Sequence, residues 1–305
     1  MTTQERMTGV LTPVVMPYTE NLLPDAQRLL EQCRWLLSQD VGIAVFGTNS
    51  EANSLSVAEK IALLDYLVAN GIDPARLMPG TGLCALTDTV QLSAHVARLG
   101  CGGALVLPPF YYKAVSDEGL YRFYAEVLQR VGDARLQIYL YHIPPISQVP
   151  LSLSLIERLV TDFPESIAGI KDSSGDWDNT RAMLDAGWDN FQVFTGNEKT
   201  LLNTMQRGGA GTISATANLN PADIVELYRN WESDSAAAMQ EALSEFRDFI
   251  QQFPVIPALK SVVAHYRNDD NWLRLRPPLV ELADAQRAEL TGALEERGFT
   301  MPGIG

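Results

Sequence analysis

The interpretation of this chain starts from one stretch, Ser166-Ile167-Ala168-Gly169-Ile170-Lys171-Asp172. The apolar run is short, and the turn-forming sequence Ser173-Ser174-Gly175-Asp176 follows it at once. This pattern is typical of a buried strand rather than of a helix. The predicted strand therefore ends in a lysine. An ammonium group among apolar side chains loses part of its preference for the charged form, and a neutral amine can attack a carbonyl group to form a Schiff base.

A second interpretation of Lys171 is structural. A lysine at a strand end commonly extends its ammonium group to solvent, or it pairs with a neighbouring carboxylate such as that of Asp172. The five lysines of the chain are Lys60, Lys113, Lys171, Lys199 and Lys260. Only Lys171 ends an apolar strand-like run, and this favours the catalytic interpretation.

Composition limits the classes of protein to which the chain can belong. Its 305 residues are 46% hydrophobic and 20% charged, which is enough apolar material for a sizeable core. The net charge of −14 offers no basic surface to the phosphates of a nucleic acid. No apolar run approaches the roughly 20 residues of a membrane span. We therefore expect neither nucleic acid nor a membrane as a partner.

The cysteines and the first residues indicate a compartment. Cys33, Cys84 and Cys101 are odd in number and lack C-x-x-C spacing, which fits reduced thiols. Residues 1–7 are polar and lack the apolar segment of a signal peptide. We therefore expect a cytoplasmic protein.

Eight strand-like runs alternate with helical segments up to residue 230. The runs occupy residues 10–16, 41–46, 77–80, 103–107, 136–141, 166–172, 191–195 and 211–214. Predicted helix starts between them include Asp25, Ser56-x-x-Glu59, a position near Asp117, and Ser154-x-x-Glu157, and Asn220-Pro221 begins a helix after the last run. The number of runs and their spacing are typical of a (β/α)8 TIM barrel. A doubly wound open sheet is the alternative, although no G-x-G-x-x-G follows the first run.

The pattern changes after residue 230, where only helical segments follow. These segments are residues 236–252, 255–266 and 282–297. We assign residues 1–230 to an α/β barrel with the catalytic site and residues 231–305 to a helical C-terminal extension of the same domain.

In such a barrel the residues just past the strand ends share one face, where barrel enzymes keep their active sites. The chemically useful residues at these positions are Thr48, Asn49, Tyr111, Tyr112, Tyr141, Lys171, Gly196 and Ser214. A Schiff-base lysine needs a group that carries protons to and from the imine, and a phenol can do so. Tyr141 ends the run before that of Lys171. Its alternative role is that of a half-buried aromatic residue whose hydroxyl finds a partner, and spacing alone does not separate the two.

Other strand-end residues are candidates for substrate binding. The small polar turn at residues 48–51 offers N–H groups and hydroxyls to a carboxylate, although such a turn also commonly only begins a helix. Gly196 and Ser214 are candidate substrate contacts because they follow the seventh and eighth runs. The three histidines are scattered, with no H-x-x-x-H spacing and no cysteine cluster. We therefore expect no metal site.

Five motifs in this order resemble the dihydrodipicolinate synthase / N-acetylneuraminate lyase family. They are Gly47-Thr48-Asn49-Ser50-Glu51, Pro109-Phe110-Tyr111-Tyr112, Tyr141-His142-Ile143-Pro144, Gly169-Ile170-Lys171-Asp172 and Gly208-Gly209-Ala210-Gly211-Thr212-Ile213-Ser214. No single motif is specific, but the set is, and the resemblance covers essentially the whole chain. It implies a (β/α)8 barrel, usually a homotetramer, that binds pyruvate or another 2-oxo acid as a lysine Schiff base without a cofactor.

The resemblance also implies roles for individual residues. Lys171 would form the imine, and Tyr141 would carry protons to and from it. Thr48 would relay the proton, and Tyr111 would reach in from a neighbouring subunit of a homotetramer or dimer. Thr48 and Asn49 would hold the carboxylate of the 2-oxo acid.

Four departures from the family pattern bear on the substrate. The first turn has Asn49 and Ser50 where the family usually has threonine and glycine. Ile146 stands where dihydrodipicolinate synthases carry an arginine for the carboxylate of the aldehyde, and the loss of a bidentate guanidinium is a large change for recognition of an acid. Residues 197–199 lack the acidic pair of sialic acid lyases, and His142 replaces the usual asparagine.

These observations predict a Schiff-base-forming lyase or aldolase that joins or separates a 2-oxo acid and an aldehyde. Within the family, the alternatives are 4-hydroxy-tetrahydrodipicolinate synthase itself and a dehydratase, deaminase or hydratase-aldolase of a sugar acid or aryl pyruvate. A different class of function is a non-catalytic sensor of 2-oxo acids. The presence of both Lys171 and Tyr141 argues against a sensor.

Overall fold

The computed structural model describes residues 5–304, which form an α/β fold around one parallel sheet. The seven strands are β1 (Gly9–Thr12), β2 (Gly42–Ile43), β3 (Ala104–Val106), β4 (Ile138–His142), β5 (Ile167–Asp172), β6 (Gln192–Thr195) and β7 (Gly211–Ile213). Their order is β2-β1-β7-β6-β5-β4-β3, and every neighbouring pair is parallel. The strands thus follow one another in chain order with β7 beside β1, as in a barrel.

Residues 77–80 occupy the gap between the two edge strands. Leu77 forms a parallel bridge with Ile43 of β2, and Gly80 forms one with Leu105 of β3. The Leu105 N–H also donates a 2.8 Å hydrogen bond to the Pro79 carbonyl. The segment therefore joins both edges and closes the barrel at its eighth position. The prediction of a short third strand is wrong, since residues 77–80 form only isolated bridges. Pro79 has no N–H to donate to a continuous ladder of hydrogen bonds.

The barrel interior is a packed apolar core. Each strand, or the residue just after it, contributes to this core, and so does the segment 77–80. The side chains are Leu11, Ala44, Met78, Leu105, Tyr139, Tyr141, Ala168, Phe194 and Ile213. A larger cluster between the sheet and the helices includes Ile43, Ile138, Ile167 and Ile170. Successive strand residues point to opposite faces, so the two clusters identify the inner and outer faces of the barrel.

Helices follow the strands and cover the outer face. Up to residue 230 they are α1 (Ala26–Ser38), α2 (Val57–Ala69), α3 (Leu86–Leu99), α4 (Asp117–Val131), α5 (Pro144–Ser147), α6 (Leu153–Asp162), α7 (Trp177–Asp185), α8 (Leu201–Gln206) and α9 (Pro221–Arg229). The later helices are α10 (Ala236–Ile250), α11 (Val255–Arg267) and α12 (Asp284–Glu296). The division of the chain at residue 230 stays a prediction. Within residues 5–304, no helix combines the length and apolarity that a membrane crossing requires.

Two of the predicted helix starts show how local sequence sets the boundaries. The capping box at Ser56–Glu59 is confirmed, with each side chain bonded to the backbone N–H of the other. The cap predicted at Ser154 is wrong. Ser152 instead accepts a 3.1 Å hydrogen bond from the Leu155 N–H, so α6 begins at Leu153. Both serines satisfy the preferred residue type, and only the backbone geometry distinguishes them.

A buried ion pair connects α11 to the turn after β2. Lys260 Nζ lies 2.7 Å from Glu51 Oε1, and both side chains are fully buried. The other oxygen of Glu51 accepts a 3.1 Å hydrogen bond from the Arg276 N–H. Burial lowers the pKa of Lys260, and the Glu51 charge opposes that shift. The helices after residue 230 thus hold the turn that carries Thr48.

We expect Lys260→Met to destabilise the fold by about 3–5 kcal/mol, because it leaves the Glu51 carboxylate buried without its cation. Urea unfolding followed by tryptophan fluorescence measures the loss. Lys199→Met is the matched control, since Lys199 pairs with Asp248 at the surface and is expected to contribute less than about 1 kcal/mol. Equal stability losses in the two variants would contradict the assignment.

Candidate active site

A β-bulge in β5 sets the direction of Lys171. One residue of β4 pairs with Ile167 and the next pairs with Gly169, so Ala168 is the extra residue. Strict alternation would place Lys171 on the same outer face as Ile167. The bulge shifts the alternation by one residue, so Ile170 packs on the outer face and Lys171 lines the interior cavity.

Gly169 permits this bulge. A Cβ atom there would lie 2.2 Å from the Gln192 carbonyl oxygen of β6, so no larger residue fits without moving a strand. This close approach gives a physical reason for the glycine two residues before the lysine. The glycine acts through backbone packing and not through contact with a substrate.

Lys171 and Tyr141 lie side by side inside the barrel, where they are register partners of β5 and β4. Lys171 Nζ donates a 3.4 Å hydrogen bond to Tyr141 Oη and lies 4.5 Å from the centre of the ring. Tyr141 Oη is 3.2 Å from Thr48 Oγ1. Both Lys171 and Tyr141 are only 3% exposed. A hydrogen-bonded path therefore leads from the amine through the phenol to the threonine hydroxyl, an arrangement suited to proton transfer.

A cavity of about 640 Å³ opens beside these three residues. Five of the predicted site residues line it, namely Thr48, Asn49, Tyr141, Lys171 and Gly196. The volume is within the usual range of small-molecule sites.

Ser214 does not line this cavity. Its side chain is fully buried, and its hydroxyl donates to the Glu198 carboxylate, as does the hydroxyl of Thr216. Arg247 Nη1 lies 3.2 Å from both Ser214 Oγ and Glu198 Oε2. The structure thus places Ser214 behind the cavity wall, where it holds Glu198.

Tyr111 also lies outside the cavity of its own chain. It is 74% exposed and packs edge-to-face on Tyr112, which is 73% exposed, with ring centres 5.3 Å apart. Two large exposed aromatic residues together are typical of a surface that contacts another protein. The predicted reach of Tyr111 into a neighbouring subunit stays a prediction.

His142 lies on the outer face beside Tyr141. Its Nδ1 accepts a 3.0 Å hydrogen bond from the Leu151 N–H, so in the neutral ring the proton is on Nε2. Burial lowers the pKa of His142, while the nearby Asp172 opposes that shift. Asp172 is its register partner in β5. His142 therefore anchors the end of β4 to the segment before α6 and does not reach the cavity.

Ile146 lies at the mouth of the cavity, 61% exposed. Ile143, Pro145, Ile256 and Pro257 also line the cavity. These five side chains offer no charge to a carboxylate. Ile146 therefore brings no cation to the mouth of the cavity.

The cavity is also lined by residues that sequence reasoning missed. Arg247 and Gln251 line the cavity from the end of α10 and the residue after it. They are four residues apart and so lie on one helix face. Gln240 is on the same helix, and its amide donates to the Glu198 carbonyl. A polar stripe along α10 was the signal from which these lining residues could have been predicted.

The remaining reactive side chains do not form a competing centre. Within residues 5–304, no three histidine, cysteine or acidic side chains are grouped so that they could hold a metal ion. Cys33 and Cys101 are buried, and burial raises the pKa of each thiol to about 12. Two amines belong to residues that line the cavity, those of Lys171 and Lys199, and Lys199 is paired with Asp248.

The chain is similar to known proteins over nearly its whole length. The model of the dihydrodipicolinate synthetase family matches residues 6–297. An uncharacterised DapA-like lyase of Chloroflexus aurantiacus is 31% identical over 291 residues, which are 94% of this chain and 96% of that one.

Solved structures give the same picture. The crystal structure of dihydrodipicolinate synthase from Agrobacterium tumefaciens is 29% identical, with a TM-score of 0.86 over 95% of this chain and 99% of that one. A prophage protein of the dihydrodipicolinic acid synthase family from E. coli K12, solved in complex with pyruvate, is 26% identical. Its TM-score is 0.86 over 96% of this chain and 99% of that one.

Proposed function

This chain belongs to the dihydrodipicolinate synthetase family of lyases and aldolases, and from that premise we propose that it joins or separates pyruvate, or another 2-oxo acid, and an aldehyde through an imine on Lys171. The observation that carries the proposal is the buried path from Lys171 Nζ through Tyr141 Oη to Thr48 Oγ1. A similar structure was solved with pyruvate bound, which supports the choice of oxo acid.

Imine formation uses all three residues. The neutral amine of Lys171 attacks the keto carbon, and the keto oxygen takes a proton from Tyr141. The attached nitrogen returns a proton to Tyr141, and Tyr141, assisted by Thr48, passes it to the same oxygen, which leaves as water and so leaves the protonated imine. The protonated imine withdraws electrons from the neighbouring carbon, which gives a proton back to Tyr141 and becomes the nucleophilic carbon of an enamine.

The carbon–carbon bond forms in the next step. The enamine carbon attacks the aldehyde carbon, and the aldehyde oxygen takes a proton to become a hydroxyl. Water then hydrolyses the imine, which returns the amine of Lys171 and releases the 2-oxo acid product. Cleavage follows the same steps in reverse. The lysine imine is the electron sink, so the proposed reaction uses no metal ion or organic cofactor.

Thr48 and Asn49 are proposed to bind the carboxylate of the 2-oxo acid. Both line the cavity beside Lys171 and belong to the short helical turn Thr48–Ser50. Hydroxyl and N–H groups there can donate to an anion without a fixed cation. Gly196 also lines the cavity. A side chain does not fit there, since a Cβ atom would lie 2.0 Å from Ser173 Oγ.

The assembly is proposed to be a homotetramer or a dimer. Tyr111 and Tyr112 are the exposed aromatic pair that an adjoining subunit would cover, and Tyr111 would then extend the proton path of a neighbouring site. This part of the proposal predicts that the site is complete only in the oligomer.

The second candidate function is 4-hydroxy-tetrahydrodipicolinate synthase, in keeping with the dihydrodipicolinate synthase among the similar structures. Ile146 argues against it, because isoleucine offers no charge to the carboxylate of L-aspartate 4-semialdehyde at the position where the synthases carry an arginine. Condensation of that aldehyde with pyruvate in a coupled assay would support the synthase. Turnover of other aldehydes without it would support the broader aldolase.

Borohydride trapping tests the proposed function. The protein is incubated with pyruvate and EDTA, reduced with borohydride, digested and analysed by mass spectrometry. We expect a stable pyruvyl adduct on the peptide that contains Lys171, with the chelator making no difference. Absence of an adduct with pyruvate and with a panel of longer 2-oxo acids would overturn the imine mechanism.

A further inference from the structure

A second cavity, of about 510 Å³, lies at the end of the barrel opposite the candidate active site. Its lining includes Gly9, Gly42 and Gly102, which lie at or just before the amino ends of β1, β2 and β3, and we call it the amino-end cavity. It shares no lining residue with the cavity beside Lys171. Its volume is one that small-molecule sites commonly have. The amino-end cavity therefore has no part in the proposed imine chemistry.

Cations predominate in the lining of the amino-end cavity although the whole chain is acidic. Arg6, Arg76 and Arg229 line it together with Glu5 and Asp40, which gives three cations against two carboxylates. The net charge of the chain is −14. The cavity between α6 and α7 has the reverse balance, with three carboxylates and one arginine. A local excess of positive charge in an acidic protein attracts anions to that place.

Asp40 shows that two of these guanidinium groups can share one oxyanion. Its Oδ1 lies 3.6 Å from Arg76 Nη2, and its Oδ2 accepts a hydrogen bond from Arg229 Nη2. The side chains of Arg76 and Arg229 are 41% and 60% exposed. Within residues 5–304 the hydrogen bonds of both guanidinium groups all use Nη2. A guanidinium carries five N–H donors, so each arginine keeps accessible donors for a second oxyanion.

Arg6 adds a buried positive charge at the same end of the barrel. It is 8% exposed, and its Nη2 donates a 2.9 Å hydrogen bond to the carbonyl of Pro164, just before β5. Its Nη1 has no hydrogen-bond partner in the described part of the chain. Burial lowers the pKa of Arg6, while Tyr139 and Glu165 oppose that shift. A buried charge without a bonded counter-ion is costly, and an anion in the cavity that Arg6 lines would offset part of the cost.

We propose that the amino-end cavity binds a small molecule through an oxyanionic group, a phosphate or a carboxylate, held by Arg76 and Arg229. Planar guanidinium groups match the paired oxygens of either group. Asp40 is the internal competitor for the same two arginines. Tyr228 also lines the cavity, and its ring lies 3.9 Å from where a Cβ atom on Gly9 would be. The ring offers an apolar surface to the organic part of the ligand.

Isothermal titration calorimetry at constant ionic strength tests the site with glycerol 3-phosphate, succinate and uncharged glycerol. We expect saturable binding of at least one of the two acids and none of glycerol, and the acid that binds identifies the oxyanion. Arg76→Met and Arg229→Met are each expected to raise the Kd of that acid by roughly 10- to 100-fold, as for loss of a hydrogen bond to a charged group. Arg122→Met is the matched control, since Arg122 pairs with Glu118 on the surface of α4. It is expected to leave the Kd within about twofold.

Asp40→Asn separates ligand binding from a structural ion pair. Asp40 has a φ of 60°, and asparagine adopts this left-handed conformation as readily. Loss of the competing carboxylate is expected to lower the Kd by about two- to fivefold, the scale of an exposed charge pair. Arginines that served only to hold Asp40 would give no such gain.

The proposal does not depend on the imine at Lys171, so its failure leaves the proposed function untouched. Binding of neither acid, equal binding of glycerol, or a Kd that neither arginine variant raises would overturn it. Weaker binding in Asp40→Asn would also do so. A Kd that Lys199→Met raises instead would place the acid in the cavity beside Lys171 and would equally overturn the site.

Discussion

Lys171→Arg is expected to abolish the pyruvyl adduct and to lower kcat/KM by roughly 10⁴-fold or more, the scale seen when a covalent nucleophile is removed. A guanidinium keeps its proton in proteins and cannot attack a carbonyl. The substitution keeps a long, nitrogen-ended side chain beside Tyr141. The loss therefore reports chemistry rather than a collapsed cavity.

Circular dichroism and borohydride trapping check this result together. Lys199→Arg is the matched control, since Lys199 lines the same cavity but is held by Asp248. It should retain both the adduct and the activity. Turnover in Lys171→Arg at more than a few per cent of the wild-type rate would contradict the imine assignment.

Tyr141→Phe is expected to lower kcat by about 10²- to 10⁴-fold, with a smaller change in KM. The substitution removes only the hydroxyl that bridges Lys171 and Thr48 and keeps the ring in the barrel core. A proton transfer is thus lost while the binding surface persists. Steady-state kinetics with pyruvate and an aldehyde measure the two parameters separately.

Tyr139→Phe gives the control for this prediction. Tyr139 lies two residues earlier in β4, faces the same interior and is equally buried. Its hydroxyl accepts a 2.7 Å hydrogen bond from the Met7 N–H instead of contacting Lys171. The variant should therefore keep nearly full kcat. A similar loss in both variants would assign the effect to packing and not to proton transfer.

Much of the barrel could be predicted from short apolar runs that end in turn residues. The position of each run is a local property, and seven of the eight are regular strands in the structure. Residues 77–80 form only isolated bridges, because strand pairing also depends on the partner and on the missing N–H of Pro79. Local sequence therefore predicted the position of this segment but not its regularity.

The site could be predicted where a side chain lies near the carboxyl end of a strand and faces the interior. Tyr141 and Lys171 lie in β4 and β5, Thr48 lies in the turn after β2, and all three line one cavity. Ser214 also follows a strand, yet it turns behind the wall toward Glu198, and nothing in its own neighbours shows this. Arg247 is 49 residues from its partner Glu198, so only the folded chain shows that the two meet.

The bulge at Ala168–Gly169 means that the position of the amine depends on how many residues β5 contains as well as on which residues they are. Ile167 and Lys171 are four residues apart yet face opposite sides of the sheet, which unbroken alternation does not allow. If all residues stayed and the bulge were lost, every reactive group would still be present in the chain, but the amine would point toward the helices. If one bulge residue were deleted, the spacing would become odd and a regular strand would again point the amine inward. The orientation of the nucleophile is therefore a matter of parity, and the bulge corrects an even count.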